Sequence, residues 1–150
     1  DKKWDLDHLV DCLDWEANVD QDFKKNHYCE PIPVDDIAKM EKDGYYEEWI
    51  TYGASEFSAK RLVIEPGREV TIKDGGSYGF IAMRGYGTIE GNTIETPAVI
   101  RYNQLTRDEF YVTYDRAINE VTIKNLSDNA ELTLLKHFGP DNKDAEKFIK

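Results

Sequence analysis

The first 48 residues carry apolar side chains at helical spacing among many charged ones. Intervals of three and four residues, which put side chains on one face of a helix, recur there. The residues that follow this spacing are Leu6, Leu9, Val10, Leu13 and Ala17, with Trp4 and Trp15 beside them. Pro31 and Pro33 then favour an extended segment, because a proline pushes the preceding residue out of the helical region. The pattern predicts an amphipathic helix, an extended arm, and a second short helix over residues 34–40 that ends near Gly44.

From Trp49 onward the pattern changes to short runs of β-branched and aromatic residues separated by turn signals such as Pro66-Gly67. The runs predict nine strands, at residues 49–52, 58–64, 69–72, 79–83, 88–89, 98–102, 109–114, 120–125 and 131–138. Short strands at nearly regular spacing are typical of an antiparallel sandwich or barrel. We therefore predict an N-terminal arm over 1–48, a barrel over 49–138 and a polar C-terminal tail over 139–150.

The charge balance excludes some classes of partner. Thirty acidic against nineteen basic residues give a formal net charge of -11, which repels nucleic-acid phosphates and anionic lipid headgroups. We therefore expect no nucleic-acid partner and no membrane partner. A membrane-spanning segment is also not expected, since no apolar run approaches the ~18 residues of a membrane span. Cys12 and Cys29 lack the spacing of a redox or zinc site, which favours reduced thiols in a cytoplasmic protein.

Residues 66–87 read PGREVTIKDGGSYGFIAMRGYG. The Pro66-Gly67 turn, the spacing from it to positions 73 and 75, and the strand that ends at Gly85-Tyr86-Gly87 resemble the first motif of the cupin superfamily. This resemblance implies a jelly-roll barrel.

A second cupin motif follows at the spacing that the family requires. Asp108 lies before a strand, Asn125 follows position 121 by four residues, and a final long strand covers 131–138. The resemblance extends over residues 49–138. It implies an all-β fold, a cupin-type double-stranded β-helix of the RmlC-like kind with an N-terminal helical and extended arm.

The resemblance also identifies what is missing. Cupins bind a divalent metal through two histidines and a glutamate of the first motif and one histidine of the second. Here those positions hold Lys73, Gly75, either Tyr78 or Phe80, and Val121. These are not the imidazole, carboxylate or thiolate donors that transition metals need. We expect no metal centre, no cofactor, and no catalytic set of residues.

Three residues are candidates for ligand binding. If position 73 points inward as it does in the family, the Lys73 ammonium attracts a phosphate or carboxylate; the alternative is a solvated turn. Arg84 shares strand parity with Tyr78 and is a second candidate anion contact, or else an exposed arginine near a strand end. Tyr78 completes the candidate set through its place in the expected pocket.

Two classes of function remain open. The missing ligands favour a metal-free cupin domain that acts as a binding or assembly module, as the non-catalytic part of a larger protein. Residues 49–53 and 59–67 resemble the phosphomannose-isomerase and related sugar-isomerase branch of the cupins, which implies a sugar or sugar-phosphate ligand. The alternative is a sugar isomerase or epimerase that uses metal-independent acid/base chemistry.

We also expect a homodimer, because barrels of this type pair through sheet faces and an arm with Trp4, Leu9, Leu13 and Trp15 would otherwise expose an apolar stripe.

Overall fold

The computed structural model describes residues 5–99 and 102–149. Within these residues the chain forms ten strands and five short α-helices. The strands are β1 (Ile32–Pro33), β2 (Tyr45–Thr51), β3 (Ser58–Ile64), β4 (Glu69–Ile72), β5 (Tyr78–Arg84), β6 (Tyr86–Ile89), β7 (Asn92–Glu95), β8 (Glu109–Val112), β9 (Val121–Asn125) and β10 (Leu132–Phe138). The helices are α1 (Leu6–Asp11), α2 (Trp15–Val19), α3 (Phe23–His27), α4 (Ile37–Asp43) and α5 (Tyr114–Ala117), and a 3₁₀ helix covers Glu146–Phe148.

The strands form two antiparallel sheets. One sheet has the order β1-β2-β3-β10-β5-β8 and the other has the order β4-β9-β6-β7. Strands β3 to β10 therefore cross repeatedly between the sheets, with β3, β10, β5 and β8 facing β4, β9, β6 and β7, which is the strand order of a double Greek-key jelly roll. This confirms the predicted all-β jelly-roll fold, and β1 and β2 extend the larger sheet at one edge.

Most of the predicted strands are observed, and three regions differ. The strand predicted over 109–114 ends at Val112, and Tyr114 already begins α5. Residues 98 and 99 are not in a strand, and residues 100–101 of that predicted strand lie outside the described residues. Strand β7 was missed because the sequence Glu90-Gly91-Asn92 reads as one turn. Only Glu90 and Gly91 form it, both with positive φ, and Asn92 already pairs with Ile89 in a two-residue hairpin.

A single apolar core fills the space between the sheets. Alternate residues point inward along each strand, so that Leu132 and Leu134 of β10 and Val121 and Ile123 of β9 are buried. Phe80 stacks against Phe110 with ring centroids 5.2 Å apart. Each large apolar side chain buried in this way stabilises the fold by about 1.5–3 kcal/mol, which is the main source of stability for a jelly roll with short strands.

Residues 1–30 form a unit of their own. The predicted single helix is divided into α1 and α2, because Asp14 accepts a hydrogen bond from the backbone N–H of Ala17 and starts a new helix there. Leu9, Leu13 and Trp15 are exposed, while Trp4 lies outside the described residues. The expected packing of this arm on a barrel stays a prediction.

The second unit begins at Pro31 and extends to the C-terminus. Residues 31–48, which we assigned to the arm, belong to this unit because β1 pairs with β2 in the larger sheet. The predicted second helix is confirmed as α4, which is capped by Asp36 and ends at Gly44 with a φ of 83°. Among the described residues, no helix combines the length and the apolar character that a membrane span requires.

Candidate ligand-binding site

Apolar side chains occupy the place where the resemblance locates a metal. Val121, at the position of the second-motif histidine, is buried with Phe80 and Ile123 in the core cluster. Within residues 5–99 and 102–149, no group of three or more histidine, cysteine, aspartate or glutamate side chains is arranged to hold a metal ion. The donor set does not fit a divalent metal at this position.

Lys73 does not point into the barrel. Val70 and Ile72 of β4 are buried and Glu69 and Thr71 are exposed, so the alternation continues with Lys73 outward and Asp74 inward. The Lys73 side chain is 60% exposed, and its Nζ lies 3.2 Å from Oε1 of Glu120. The solvated position is therefore the one observed, and the inward residue is the next one along the chain.

Arg84 is also exposed, although it shares parity with the buried Tyr78. A β-bulge explains the difference. Thr133 pairs with Arg84 and Leu134 pairs with Ala82, so that Met83 is an extra residue on β5 and reverses the alternation beyond it. The expectation that Arg84 faces a cavity was wrong for this reason.

Tyr78 lies in the core. Its side chain is buried, and its hydroxyl has no hydrogen-bond partner among the described residues. Burial raises the pKa of this phenol well above its ordinary value. Tyr78 therefore stays neutral and its ring faces Lys136, with the Lys136 Nζ 4.7 Å from the ring centroid. Of the three predicted residues, Lys73 lines the cleft described below, Tyr78 is in the core and Arg84 is on the surface.

A buried network of four charged side chains adjoins the apolar core. Lys60 of β3 and Lys136 of β10 lie directly opposite each other across the sheet, an arrangement that two like charges disfavour. Asp74 resolves it by accepting from both: its Oδ1 lies 2.7 Å from Lys60 Nζ and its Oδ2 lies 2.5 Å from Lys136 Nζ. Glu47 of β2 accepts a second hydrogen bond from Lys136, at 2.7 Å.

Aromatic rings cover the two ammonium groups of this network, which we call the tetrad (Glu47, Lys60, Asp74 and Lys136). The Nζ of Lys60 lies 4.5 Å from the ring centroid of Trp49 and 5.2 Å from that of Phe138. Cation–π attraction is stronger where water is excluded. The rings therefore hold the charges in place while the carboxylates neutralise them.

The pKa values of Asp74 and Lys136 are shifted in opposite directions. Burial alone would raise the pKa of the Asp74 carboxyl, but the ammonium groups of Lys136 and Lys60 outweigh burial and hold that pKa below its ordinary value. Burial alone would lower the pKa of Lys136, but Glu47 and Asp74 outweigh it and raise that pKa well above its ordinary range. Asp74 and Lys136 are therefore charged at neutral pH.

A cleft of about 510 Å³ opens above the tetrad. Tyr45 and Trp49 contribute aromatic surface to it, and Glu47 and Lys60 connect it with the tetrad. Three further lysines stand around the opening, namely Lys73, Lys143 and Lys147. The cleft is thus lined by four lysines and three carboxylates, the latter from Asp35, Glu47 and Asp144, on a chain whose overall charge is -11.

Most charges in the cleft are already paired. Lys60 contacts Asp74 and, at 3.7 Å, Asp144, and Lys73 contacts Glu120. Lys143 and Lys147 form no ion pair with any other described residue. The Nζ of Lys147 lies 5.0 Å from the ring centroid of Phe148. Two ammonium groups without carboxylate partners among the described residues, in a concave polar site, are suited to an anionic ligand.

The tetrad was missed at the level of sequence, although strand parity carries a signal for it. In β10 the inward positions read Leu132, Leu134, Lys136 and Phe138, and in β3 Lys60 shares a face with Leu62. A charged residue at an inward position is rare unless it is paired. The partners Glu47 and Asp74 come from other parts of the chain, and only the folded structure brings them there.

Comparison with known proteins does not identify a family for this chain. Neither a protein-family model nor a curated protein matches the chain. Among solved structures, it is similar to an RmlC-like cupin from Shewanella frigidimarina, with 17% identity, 79% of this chain and 94% of that chain covered, and a TM-score of 0.48.

Two further solved structures are similar at the same level. A cupin 2 domain-containing protein from Halorhodospira halophila matches with 17% identity, 68% of each chain and a TM-score of 0.47. The structure of Rhodobacter sphaeroides SigE in complex with the anti-sigma ChrR matches with 15% identity and a TM-score of 0.47, over 64% of this chain. This chain spans 44% of that matched chain.

Proposed function

We propose that residues 31–149 form a metal-free, cupin-type jelly-roll domain that binds a small anionic ligand, a sugar phosphate or a sugar acid, in the cleft above the tetrad. The observation that carries this proposal is the presence of two lysines without ion-pair partners among the described residues, Lys143 and Lys147, in a concave site on an acidic protein. Tyr45, which is partly exposed and lines the cleft, adds an aromatic ring that a sugar can contact.

A binding role is favoured over acid/base catalysis. General acids and bases work best with a pKa near the operating pH. In the tetrad, the pKa of Asp74 is lowered and that of Lys136 is raised, so that both are held away from neutrality. These groups supply a fixed electric field and not a transferable proton, which is unfavourable for the isomerase alternative.

The assembly role, the homodimer, the cytoplasmic location and the affiliation with the phosphomannose-isomerase branch remain predictions. Cys12 and Cys29 are both free thiols in the structure. Sedimentation analysis of the full chain tests the dimer. A monomer at all accessible concentrations would contradict it.

The binding proposal is tested with a charge-reversal variant and a matched control. Thr71 is exposed and lines the cleft, whereas Thr93 is exposed on the other edge strand of the same sheet, away from it. Calorimetric titration with a hexose 6-phosphate should give weak, salt-sensitive binding to the unmodified protein and to Thr93→Glu. Thr71→Glu should abolish it, because a new carboxylate then repels the anion.

Equal binding to Thr71→Glu and Thr93→Glu would exclude this cleft. Elemental analysis of protein purified without an affinity tag adds a second test. We expect no stoichiometric Mn, Fe, Ni or Zn, because the positions of the family ligands are apolar or exposed here. One tightly held metal ion per chain would contradict the metal-free assignment.

A further inference from the structure

The C-terminal segment (residues 139–149) is built into the side of the cleft. The carboxylate of Asp144 accepts a hydrogen bond from the backbone N–H of Gly75 at 2.8 Å, and the N–H of Lys143 donates to the carbonyl of Gly75 at 3.3 Å. The side-chain amide of Asn142 donates to Ser58 at 3.3 Å. The two bonds to Gly75 join the segment to the turn that follows Asp74, the central carboxylate of the tetrad, and the bond to Ser58 joins it to the start of β3.

The turn has no room for side chains where the segment lies against it. A Cβ on Gly75 would come within 2.7 Å of the Asp144 carboxylate, and a Cβ on Gly76 would come within 3.0 Å of the Asn142 backbone. Position 75, where the cupin motif has a metal-binding histidine, is therefore filled from outside by a carboxylate of the C-terminal segment. This accounts for the glycine pair that follows Asp74.

The end of the segment is anchored by aromatic contacts. The ring of Phe148 lies 5.5 Å from that of Trp49 and 4.9 Å from that of Tyr52, measured between centroids. Ala145, in the middle of the segment, is buried. Lys143 and Lys147 lie between these anchor points, four residues apart, and both line the cleft.

We propose that Lys143 and Lys147 are the ligand-contacting cations of the cleft and that they select a phosphate monoester over a singly charged acid. This inference rests on the proposed binding function and adds the residues and the chemical class. A phosphate monoester carries about -1.5 to -2 charges at pH 7 and has three strong acceptor oxygens. Two ammonium groups, each with three donors, match both its charge and its hydrogen-bonding capacity.

The competing cations of the cleft are less available for this role. Lys60 is buried and shared between Asp74 and Asp144, and Lys73 is paired with Glu120. A ligand that displaced these carboxylates would leave a negative charge without its partner. Binding through Lys143 and Lys147 costs no such pair, so the C-terminal segment decides the specificity.

The experiment compares three probes: a hexose 6-phosphate, the hexuronate of the same sugar and the neutral hexose. The double variant Lys143→Gln/Lys147→Gln should weaken binding of the hexose phosphate by about tenfold or more, since charge-assisted hydrogen bonds contribute at least one factor of ten in affinity. The change for the hexuronate should be smaller. Lys143→Arg/Lys147→Arg should retain most of the affinity, because the charges remain.

Lys42→Gln is the matched control, because Lys42 is exposed on α4 and does not line the cleft. If the unmodified protein binds the hexose phosphate and the double glutamine variant binds it equally well, the assignment of Lys143 and Lys147 is overturned and the binding function stands. If the unmodified protein binds none of the three probes, the proposed function and this inference both fail. Tighter binding of the hexuronate than of the phosphate would overturn the selectivity.

Discussion

Two parts of the barrel interior follow the same alternation of inward and outward residues but bury opposite chemistry. On β10, Leu132 and Leu134 point into an apolar core, and Lys136, two residues further on, points into the tetrad. In the apolar part, every buried atom gains from leaving water. In the charged part, each group loses its hydration free energy, and ion pairs and hydrogen bonds to its partners offset that loss.

This contrast separates what holds the fold together from what shapes the site. Replacing a buried ion network by apolar residues is often neutral or stabilising, so the tetrad is not needed for a jelly roll to form. It lies at the floor of the cleft, where Glu47 and Lys60 connect the interior with the opening. The binding site that we propose gives the tetrad a role that stability does not.

The largest effect is expected from removing one member of the tetrad. Lys136→Met keeps the side-chain length but leaves Glu47 buried without its ammonium partner and Asp74 with Lys60 alone. Breaking a buried ion pair from one side costs about 3–5 kcal/mol. Urea unfolding measures this loss as a lower midpoint.

Lys124→Met serves as the control, because the Lys124 side chain is 45% exposed and forms a surface ion pair with Glu69. It should change the midpoint little. If the Lys136→Met protein were as stable as the unmodified one, the interior would tolerate Glu47 and Asp74 without the Lys136 ammonium. The energetic contrast between the apolar and the charged part would then disappear.

The pH dependence of stability should have a limb on each side of neutrality. The pKa of Asp74 is lowered on folding, so its contribution is present above the unfolded pKa of about 3.9 and is lost as the pH falls through the lower folded value. The pKa of Lys136 is raised, so its contribution is present below the unfolded pKa of about 10.4 and is lost as the pH rises toward the folded value.

Thermal unfolding across the pH range tests both limbs in the unmodified protein. Between them, the melting temperature should vary little on account of the tetrad. In Lys136→Met the alkaline limb that depends on Lys136 should be absent. A melting temperature that falls steeply between pH 6 and pH 8 would show that another group controls stability.

The apolar part of this interior could be predicted from the sequence. In the charged part, only the inward parity of single charged residues carried a local signal. The strand pattern gave β3 and β4 at their observed bounds, since alternation and turn residues are local signals. Lys60 and Lys136 could have been noted as charges at inward positions. Asp74 follows the inward parity of Val70 and Ile72, but its pairing with lysines of two other strands is non-local, so the sequence did not identify it as their partner.

Other misses have non-local causes too. The bulge at Met83, which turns Arg84 outward, depends on the register between β5 and β10. The approach of Asp144 to Gly75 joins residues far apart in the chain. Local sequence patterns carry no information on the register of two strands or on a contact between residues remote in sequence. The residues that line the cleft could therefore not be predicted.

A smaller effect is expected from a conservative change in the apolar part. Ile123→Val removes one buried methylene group next to Val121 and Val70 in the core cluster. Such a change costs about 0.5–1.5 kcal/mol, because the neighbours close only part of the space. Urea unfolding should give a modest decrease that is the same at pH 5 and pH 9, since no titrating group is involved.

The smallest effect is expected from Lys73, the charge that lies on the outside of the same strand end that carries Asp74 inward. Its pair with Glu120 is more than half exposed on both sides, and ion pairs of this kind contribute less than about 1 kcal/mol. Lys73→Ala should therefore leave the urea midpoint almost unchanged at any ionic strength.

Because its ammonium faces the rim of the cleft, the same variant should lower the affinity for a hexose phosphate by a few-fold at low salt, and this difference should vanish as salt screens the charge. A stability loss as large as that of Lys136→Met would contradict the assignment of Lys73 to the solvated side, and unchanged binding at low salt would remove it from the site.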